Sequence, residues 1–296
     1  MSKETLAPSK VTDRDPKGLK FMSVVSASYN KAGLSNEEAQ RINDTPGLSG
    51  IISDFIDRNR RLNQFADEEI SSSYTYPEGY EILPIEEQVA KLKELFPMLN
   101  GANLEIAKQP LPEGAEGWAA IPRWQRLGTT YNEAFENHVL PACQTNLKNF
   151  CNYLKGELSG KYLRQLPRSA EMFERAAAEQ AGYDIIIIPI QFGLRHRGRS
   201  VRRARECFAA NELGLGAFAV GCLALTHPKR FQRWEQLHAD CGGDEYDWYA
   251  GGQWTYCPDF YFGAGGVKFH AYRIGYVSQR FGSASAFLGS AETLEA

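Results

Sequence analysis

The order of apolar positions divides the chain into a helical first half and a second half rich in strands. An apolar helical face is predicted early by five residues at i, i+3, i+4, i+7 and i+8, namely Leu48, Ile51, Ile52, Phe55 and Ile56. Upstream of them, Ser35 and Glu38 have the spacing of a capping box, in which each side chain satisfies a free amide. We therefore expect a small helical hairpin over residues 21–70, after a disordered, aperiodic arm over residues 1–20.

The region 71–182 is predicted to be mainly helical. A turn-rich linker at 71–80 is followed by Pro84, which suits the first position of a helix, and apolar residues then recur to Phe96 before Pro97 ends the pattern. A second helical pattern runs from 130 to 158, with Thr130 as a cap and Pro141 as a kink or a division. A third runs from 167 to about 181, and the apolar segment 118–124 is left open between helix and strand.

The region 183–296 is predicted to form a mixed sheet. The β-branched run 184–192 indicates a strand covered on both faces, although Pro189 favours an edge position or a bulge. Helices are expected at 200–212, capped by Ser200, and at 228–240, whereas Gly216 and Gly221 favour a strand at 216–225. Residues 260–269 read as a hairpin around a glycine-rich turn. The predicted fold class is α+β, with an N-terminal helical part followed by a mixed β-sheet domain rich in aromatics.

Composition narrows the classes of protein that fit. The 296 residues include 33 Lys plus Arg against 36 Asp plus Glu, a formal charge of -3, which excludes a globally basic nucleic-acid coat. No apolar run approaches the ~20 residues of a membrane-spanning helix, and the first residues lack the apolar stretch of a signal peptide. We therefore expect a cytoplasmic protein without a membrane partner.

The six cysteines show no zinc-site or redox spacing. They are Cys143, Cys151, Cys207, Cys222, Cys241 and Cys257. No two of them are two to four residues apart, so we expect buried reduced thiols, no metal site and no cofactor.

The most distinctive chemistry lies in the segment LRHRGRSVRRARE at 194–206. It carries one histidine and six arginines before its first acid, and the anion-binding candidates are Arg195, His196, Arg197, Arg199, Arg202 and Arg203. Gly198 and Ser200 place the segment at a strand-to-helix turn, where free amides and the positive helix end favour an anion. Arginine also binds phosphate and carboxylate with paired donors.

Three explanations of these arginines remain open. They could pair internally with the carboxylates at 240–259, they could bind phosphate or nucleic acid, or they could bind an acidic protein partner. The aromatic residues near them allow either bases stacked on an exposed surface or a buried sheet face, and an exposed surface could also make homo-oligomer contacts. These residues are Tyr246, Trp248, Tyr249, Trp254, Tyr256, Phe260, Tyr261 and Phe262.

A second group of residues could carry catalysis. His238, Asp240, Asp244 and Glu245 lie within eight residues of one another, beside Cys241 and a flexible Gly-Gly pair. Such groups can build a hydrolytic site, although their spacing matches no metal or nucleophile motif, and a hydrogen-bonded loop explains them as well. The glycines at 214–221 fit no dinucleotide motif, because the third glycine is misplaced and a predicted helix precedes them.

Several segments together carry a resemblance to a known group of sequences. These are YPEGYEILPIEEQ (76–88), AEGWAAIPRW (115–124), QFGLRHRGRSVRRARE (191–206), FAANELGLGAFAVG (208–221), LTHPKRF (225–231) and GSASAFL (282–288). They resemble an uncharacterised family of hypothetical proteins from candidate-phyla bacteria and mobile elements. The resemblance implies one evolved unit, and it implies no activity, cofactor or site.

The expected function is therefore that of a non-catalytic binding protein. Its arginine-rich turn would bind a polyanion, either nucleic acid or phosphate, or an acidic protein. A hydrolase-like enzyme using the residues at 238–245 and a structural or inhibitory oligomer are the alternatives.

Overall fold

A computed structural model of the chain describes residues 12–45 and 64–288, together with positions 48, 52 and 56. It contains two compact units, residues 1–60 and residues 61–296. The first unit contains α1 (Pro16–Lys31) and α2 (Asn36–Asn43), neither of which has a buried residue. Because Pro16 is preset for a first helical position, α1 begins inside the segment predicted to be disordered.

The capping box of α2 is confirmed. The Ser35 amide donates to Glu38 Oε2 over 2.8 Å, and the Glu38 amide donates to Ser35 Oγ over 3.3 Å. Of the apolar face predicted after it, Leu48, Ile52 and Ile56 are helical, and Ile51 and Phe55 lie outside the described residues.

The second unit combines helices with two sheets, which confirms the α+β class. Its helices are α3 (Ile85–Leu95), α4 (Tyr131–Ala134, a π-helical turn Phe135–Val139, and Leu140–Asn146), α5 (Pro167–Glu179), α6 (Val201–Cys207) and α7 (Ala217–Thr226). Its strands are β1 (Gly117–Pro122), β2 (Cys151–Asn152), β3 (Leu163–Gln165), β4 (Ile185–Gln191), β5 (Glu212–Gly214), β6 (His238–Asp240), β7 (Asp244–Tyr246), β8 (Tyr256–Gly263), β9 (Gly266–Arg273), β10 (Phe281–Ser283) and β11 (Ser285–Phe287).

The strands form two sheets. One is antiparallel with the order β1-β4-β11-β5. The other has the order β10-β6-β8-β7-β3, and β9 joins it by pairing with β8 and β2. The predicted hairpin is confirmed as β8 and β9, which meet at Gly263 and Gly266.

The segment 216–225 forms helix α7, so its prediction as a strand was wrong. All ten residues of α7 are buried, because the helix contacts β1 of one sheet, β8 of the other, and also α3 and α4. A helix covered on every side needs no polar face, and its continuous apolarity therefore looks like that of a buried strand. The glycines reflect close packing, since a Cβ at Gly221 would lie 2.8 Å from Val139 Cγ1.

The helix predicted over 228–240 is also absent from the described fold. One 3₁₀ turn, Pro228–Arg230, is followed by extended chain and then by β6. The amides of Gln232 and Arg233 donate to the side chain of Gln236 over 2.9 and 3.0 Å, which replaces helical hydrogen bonds. Phe231 and Leu237 point inward as predicted, but Trp234 is 43% exposed.

Two further helices are shorter than predicted. The helix α4 has the expected Thr130 cap but ends at Asn146, because the backbone of Leu147 is extended. The chain then turns at Asn149, which has a left-handed φ of 43°, and joins β9 through β2. The helix α6 has the expected Ser200 cap but ends at Cys207, and Glu212 begins β5.

Pro189 lies on a central strand, contrary to the expectation of an edge. It pairs with Trp118 of β1, while pairing with β11 on the other side covers only Gln191 and Ile190. Its missing amide therefore falls beyond the end of the β11 ladder, where no donor is required.

Candidate functional site

The arginine turn, residues 194–206, follows β4 and includes most of α6. Gly193 and Gly198 have φ values of 123° and 76°, which reverse the chain after the strand. Ser200 then caps α6 by accepting a hydrogen bond from the Arg203 amide over 3.1 Å. The predicted strand-to-helix turn is thus present, and the positions of its side chains decide what it can bind.

A segment upstream of the turn neutralises much of its charge. We call residues 64–70 the acidic strap, because Glu68 and Glu69 lie along the arginine turn. The Ile70 amide donates to the Gly198 carbonyl over 2.9 Å, and the Ser200 amide donates to the Glu68 carbonyl over 3.0 Å. These backbone bonds align the strap with the turn like a short strand.

The strap carboxylates form ion pairs with three arginines. Arg202 Nε donates to Glu68 Oε2 over 2.7 Å, while Arg199 and Arg203 donate to Glu69 over 3.1 and 3.0 Å. The hydrogen bond from Arg202 lowers the pKa of Glu68, and the hydrogen bond from Arg203 lowers the pKa of Glu69. Both acids are therefore charged at neutral pH.

A second, deeper network involves Glu212 of β5. His196 Nε2 lies 2.7 Å from Glu212 Oε1, Arg195 Nε lies 3.3 Å from Oε2, and the Ser285 hydroxyl donates over 2.6 Å. Burial raises the pKa of Glu212, but hydrogen bonds from His196, Ser285 and the Ala209 amide outweigh it and hold the pKa at about 2. His196 is only 1% exposed, so it anchors the turn and does not face a ligand.

The carboxylates at 240–259, which the sequence offered as one of three explanations of the arginines, contribute little to their pairing. Arg205 alone reaches them, with Nη1 3.7 Å from Glu245 Oε1 and hydrogen bonds to the carbonyls of Gly242 and Asp244. Internal pairing therefore occurs, but mostly with Glu68, Glu69 and Glu212, which lie elsewhere in the sequence. Arg197 is exposed, donates to the Tyr74 carbonyl, and pairs with no described carboxylate.

The four catalytic candidates lie in separate environments. His238 is packed among the rings of Tyr261, Phe281 and Trp234, at 4.9, 4.7 and 5.5 Å between centroids. Burial lowers the pKa of His238 to about 3, and neither ring nitrogen has a hydrogen-bond partner among the described residues. The imidazole is therefore neutral and packed like an aromatic side chain.

Asp244 and Glu245 have structural partners. Asp244 Oδ2 accepts from the Tyr131 hydroxyl and from the Ala217 amide, both over 2.7 Å, so it caps the buried helix α7. Burial raises the pKa of Asp244 to about 7. Glu245 pairs with Arg164 over 2.7 Å. The structure does not bring these side chains together with His238 into one site.

Asp240 belongs instead to a polar row that crosses four strands. In register, Ser283 of β10 is beside Asp240, Asp240 is opposite Asp259 of β8, and Asp259 is opposite His270 of β9. Asp259 is fully buried, and neither of its carboxyl oxygens has a described hydrogen-bond partner. Burial raises the pKa of Asp259 strongly and that of Asp240 to about 7. The sequence analysis considered Asp259 only as a possible partner of the arginines and did not single out His270, although an aspartate inside an apolar strand was a usable signal for this row.

An aromatic cavity of about 700 Å³ lies where β8 and β9 meet the arginine turn. Its side chains of chemical interest are Arg202, Trp248, Tyr256, His270, Tyr272, Arg273 and Tyr276. The rings of Tyr272 and Tyr276 are stacked at 5.7 Å, and His270 lies 5.6 Å from Trp248 and 5.0 Å from Tyr272.

The predicted aromatic residues do not form one surface, since some are buried, two line the cavity and Tyr249 is 82% exposed. Tyr246, Phe260 and Phe262 are buried, whereas Trp248 and Tyr256 line the cavity. Sequence reasoning missed Tyr272, Arg273 and Tyr276, which follow the hairpin with no recognisable motif. Only the fold brings them beside Arg202.

The cavity walls indicate what kind of group could occupy them. Burial lowers the pKa of His270, whose Nδ1 has no described hydrogen-bond partner. Stacked rings, a neutral imidazole and two guanidinium groups suit a planar, anionic ligand. Among the described residues, no three His, Cys, Asp or Glu side chains are grouped so that they could hold a metal ion. All six cysteines are free thiols, and four are buried.

Comparisons with known proteins add no further assignment. No protein-family model, no curated protein and no solved structure matches this chain. In the described part of the chain, no helix combines the length and the apolar character needed to cross a membrane.

Proposed function

We propose that this protein is a non-catalytic binding protein for a polyanion, and that single-stranded nucleic acid is the polyanion that it binds. Bases would stack in the aromatic cavity, and phosphates would contact the arginines at its edge. The observation that carries the proposal is the position of Arg202, which belongs to the arginine turn and also lines the aromatic cavity.

The chemistry of the cavity favours single strands over duplexes. Stacking of a base on an aromatic side chain is worth about 1–3 kcal/mol and tolerates any sequence. A duplex buries its base faces, so it could use only the arginines. A cavity of about 700 Å³ is in the usual range for a ligand of nucleotide size.

The ion pairs of the arginine turn are compatible with this function. Arg202 keeps 38% of its side chain exposed despite its pair with Glu68. Partly exposed pairs of this kind contribute about 0–1 kcal/mol, so a phosphate can replace the carboxylate at small cost. Arg273 and Arg197 are exposed and have no described carboxylate partner, which leaves both available to phosphate.

Binding of a fluorescent, mixed-sequence oligonucleotide, followed by anisotropy, tests the proposal. We expect single strands to bind more tightly than a duplex of the same sequence, and the affinity to fall as salt rises. Tyr272→Ala is expected to weaken binding about tenfold. Tyr183→Ala, another exposed tyrosine that does not line the cavity, is the control.

A test of Arg202 requires a variant that does not leave Glu68 without its ion-pair partner. Arg202→Gln combined with Glu68→Gln removes both charges of one ion pair, and Arg175→Gln with Glu179→Gln does the same on α5, where the pair spans 3.2 Å. Only the first double variant should lose affinity. Equal oligonucleotide affinity of the two double variants would reject a nucleic-acid function, and so would the lack of a preference for single strands. Binding of an acidic protein instead would assign the arginine turn to that partner.

A further inference from the structure

A second cavity, of about 610 Å³, differs from the aromatic cavity in charge, because its walls are acidic. It is lined by Tyr76, residues 80–86, parts of 104–118 and Leu194. Three carboxylates line it, Glu81, Glu86 and Glu116. The one lining lysine, Lys108, is paired with Glu105 over 2.6 Å. We call this space the acidic cavity.

Glu116 is held rigidly in the wall of the acidic cavity. The Tyr76 hydroxyl lies 2.9 and 2.8 Å from its two carboxyl oxygens, and the Phe192 amide donates to Oε2 over 2.9 Å. Oε1 receives only the shared tyrosine hydroxyl, so it keeps capacity to accept another hydrogen bond. A carboxylate fixed in this way is preorganised to bind a donor.

Tyr80 supplies a second unused polar group. Its ring meets that of Tyr76 edge to face at 5.2 Å, and its hydroxyl oxygen is buried without any described hydrogen-bond partner. Burial raises the pKa of Tyr80, so the hydroxyl stays protonated at neutral pH. A buried hydroxyl without a partner is unfavourable, and a ligand donor would satisfy its oxygen as an acceptor.

The remaining walls are apolar, which restricts the body of the ligand. They are contributed by Ile82, Leu83, Pro84, Leu104, Ala107 and Trp118. Arg230 stacks on the Tyr76 ring at 4.3 Å, and its guanidinium donates to the carbonyls of Leu237 and Phe192 rather than entering the cavity. The exposed chemistry is therefore carboxylate, phenol and hydrocarbon.

We propose that the acidic cavity binds an aliphatic primary amine, whose ammonium group donates to Glu116 and to the Tyr80 hydroxyl while its carbon chain contacts the apolar walls. The tyrosine rings add an attraction for the cation. An anion is disfavoured by the three lining carboxylates. This site is separate from the aromatic cavity and does not depend on the proposed nucleic-acid function.

Titration calorimetry of the full chain with hexylamine tests this assignment. Hexan-1-ol is the matched neutral probe, and hexyltrimethylammonium is a cation that cannot donate a hydrogen bond. We expect hexylamine to bind at least about tenfold more tightly than either of them. Equal binding of hexylamine and hexanol would overturn the proposal, because it would leave only an apolar pocket, and strongest binding of the quaternary ion would reject the donor role.

Two variants and one control complete the experiment. Glu116→Gln should lose about tenfold in hexylamine affinity, but it also disturbs the contact with Tyr76. Tyr80→Phe removes a hydroxyl that bonds to no described residue, so it should fold normally and still lose several-fold in affinity. Glu94→Gln, on the exposed side of α3 and outside the cavity lining, should bind like the natural chain. Unchanged hexylamine affinity in Tyr80→Phe and Glu116→Gln would overturn the proposal.

Discussion

Single buried carboxyl groups show how the fold tolerates polar atoms in its core. Asp259 has no described hydrogen-bond partner and lies directly across the ladder from Asp240. Two ionised carboxylates side by side in a buried sheet would be costly, because each is desolvated and repels the other. The pair therefore retains a proton that a solvated aspartate would release.

This retention makes stability depend on pH. The folded pKa of Asp259 is raised by burial, so the folded state binds its proton more tightly than the unfolded chain. The contribution of Asp259 to the free energy of unfolding should thus be fully present below the unfolded pKa of about 4 and be lost as the pH rises above it. Asp259→Asn, which cannot ionise, should raise Tm at pH 8 by on the order of 5 °C.

Thermal melts followed by circular dichroism between pH 4 and pH 8 measure this effect. The difference in Tm between Asp259→Asn and the natural chain should grow with pH. Glu94→Gln, on the exposed side of α3, should show no such growth. A difference that is constant across the pH range would mean that Asp259 is ionised in the folded protein.

At the level of elements, the acidic strap lies in the position that a bound polyanion would take on the arginine turn. Glu68 and Glu69 form ion pairs with the guanidinium groups of Arg199, Arg202 and Arg203. Since phosphate and carboxylate use the same donors, the strap would compete with a nucleic acid bound as we propose.

Weakening the strap should therefore strengthen nucleic-acid binding. We expect Glu68→Gln to raise the affinity for a single-stranded oligonucleotide about threefold or more, because one partly exposed ion pair no longer opposes binding. Asp67→Asn removes the same charge from an exposed position of the strap that forms no described ion pair. Anisotropy titrations at equal salt compare the two variants. If both gain affinity equally, the effect is one of net charge and the strap is not a competitor.

The helix α7 packs between the two sheets, and its close packing depends on the small residue Gly221. Gly221 faces Val139 and Phe135 of α4, where an added Cβ would lie 2.8 and 3.3 Å from their nearest atoms. Gly221→Val should cost about 2 kcal/mol or more in the free energy of unfolding, because the core cannot expand.

Chemical denaturation of Gly221→Val and of Gly251→Val measures this cost. A Cβ at Gly251 has no neighbour within 4 Å, so that control should unfold at nearly the denaturant concentration of the natural chain. Similar losses in both variants would show that α7 is not tightly packed at this position.

Across the whole molecule, local sequence signals predicted where helices begin better than they predicted which segments are buried and what they contact. Caps at Ser35, Thr130 and Ser200 were found because their hydrogen bonds are local in sequence. The apolar segment 216–225 was misassigned because its period is hidden once every face is buried, and only the packing between two sheets reveals the helix.

The candidate site shows the same limit. The arginine turn was located from its composition, but its counterions lie in a strap about 130 residues upstream, so no spacing could reveal them. His270, Tyr272 and Tyr276 gain significance only where the hairpin brings them beside Arg202. Ion pairs and cavities depend on contacts between residues far apart in the sequence, so local patterns of residues do not reveal them.

The most direct test of nucleic-acid binding at the aromatic cavity is photo-crosslinking. A single-stranded RNA containing 4-thiouridine, irradiated with the full chain and mapped by mass spectrometry, reports which residues contact bases. We predict crosslinks to Trp248, Tyr272 or Tyr276 that disappear with Tyr272→Ala and at high salt. Crosslinks confined to residues outside the cavity, or none under conditions where the RNA is bound, would contradict the assignment.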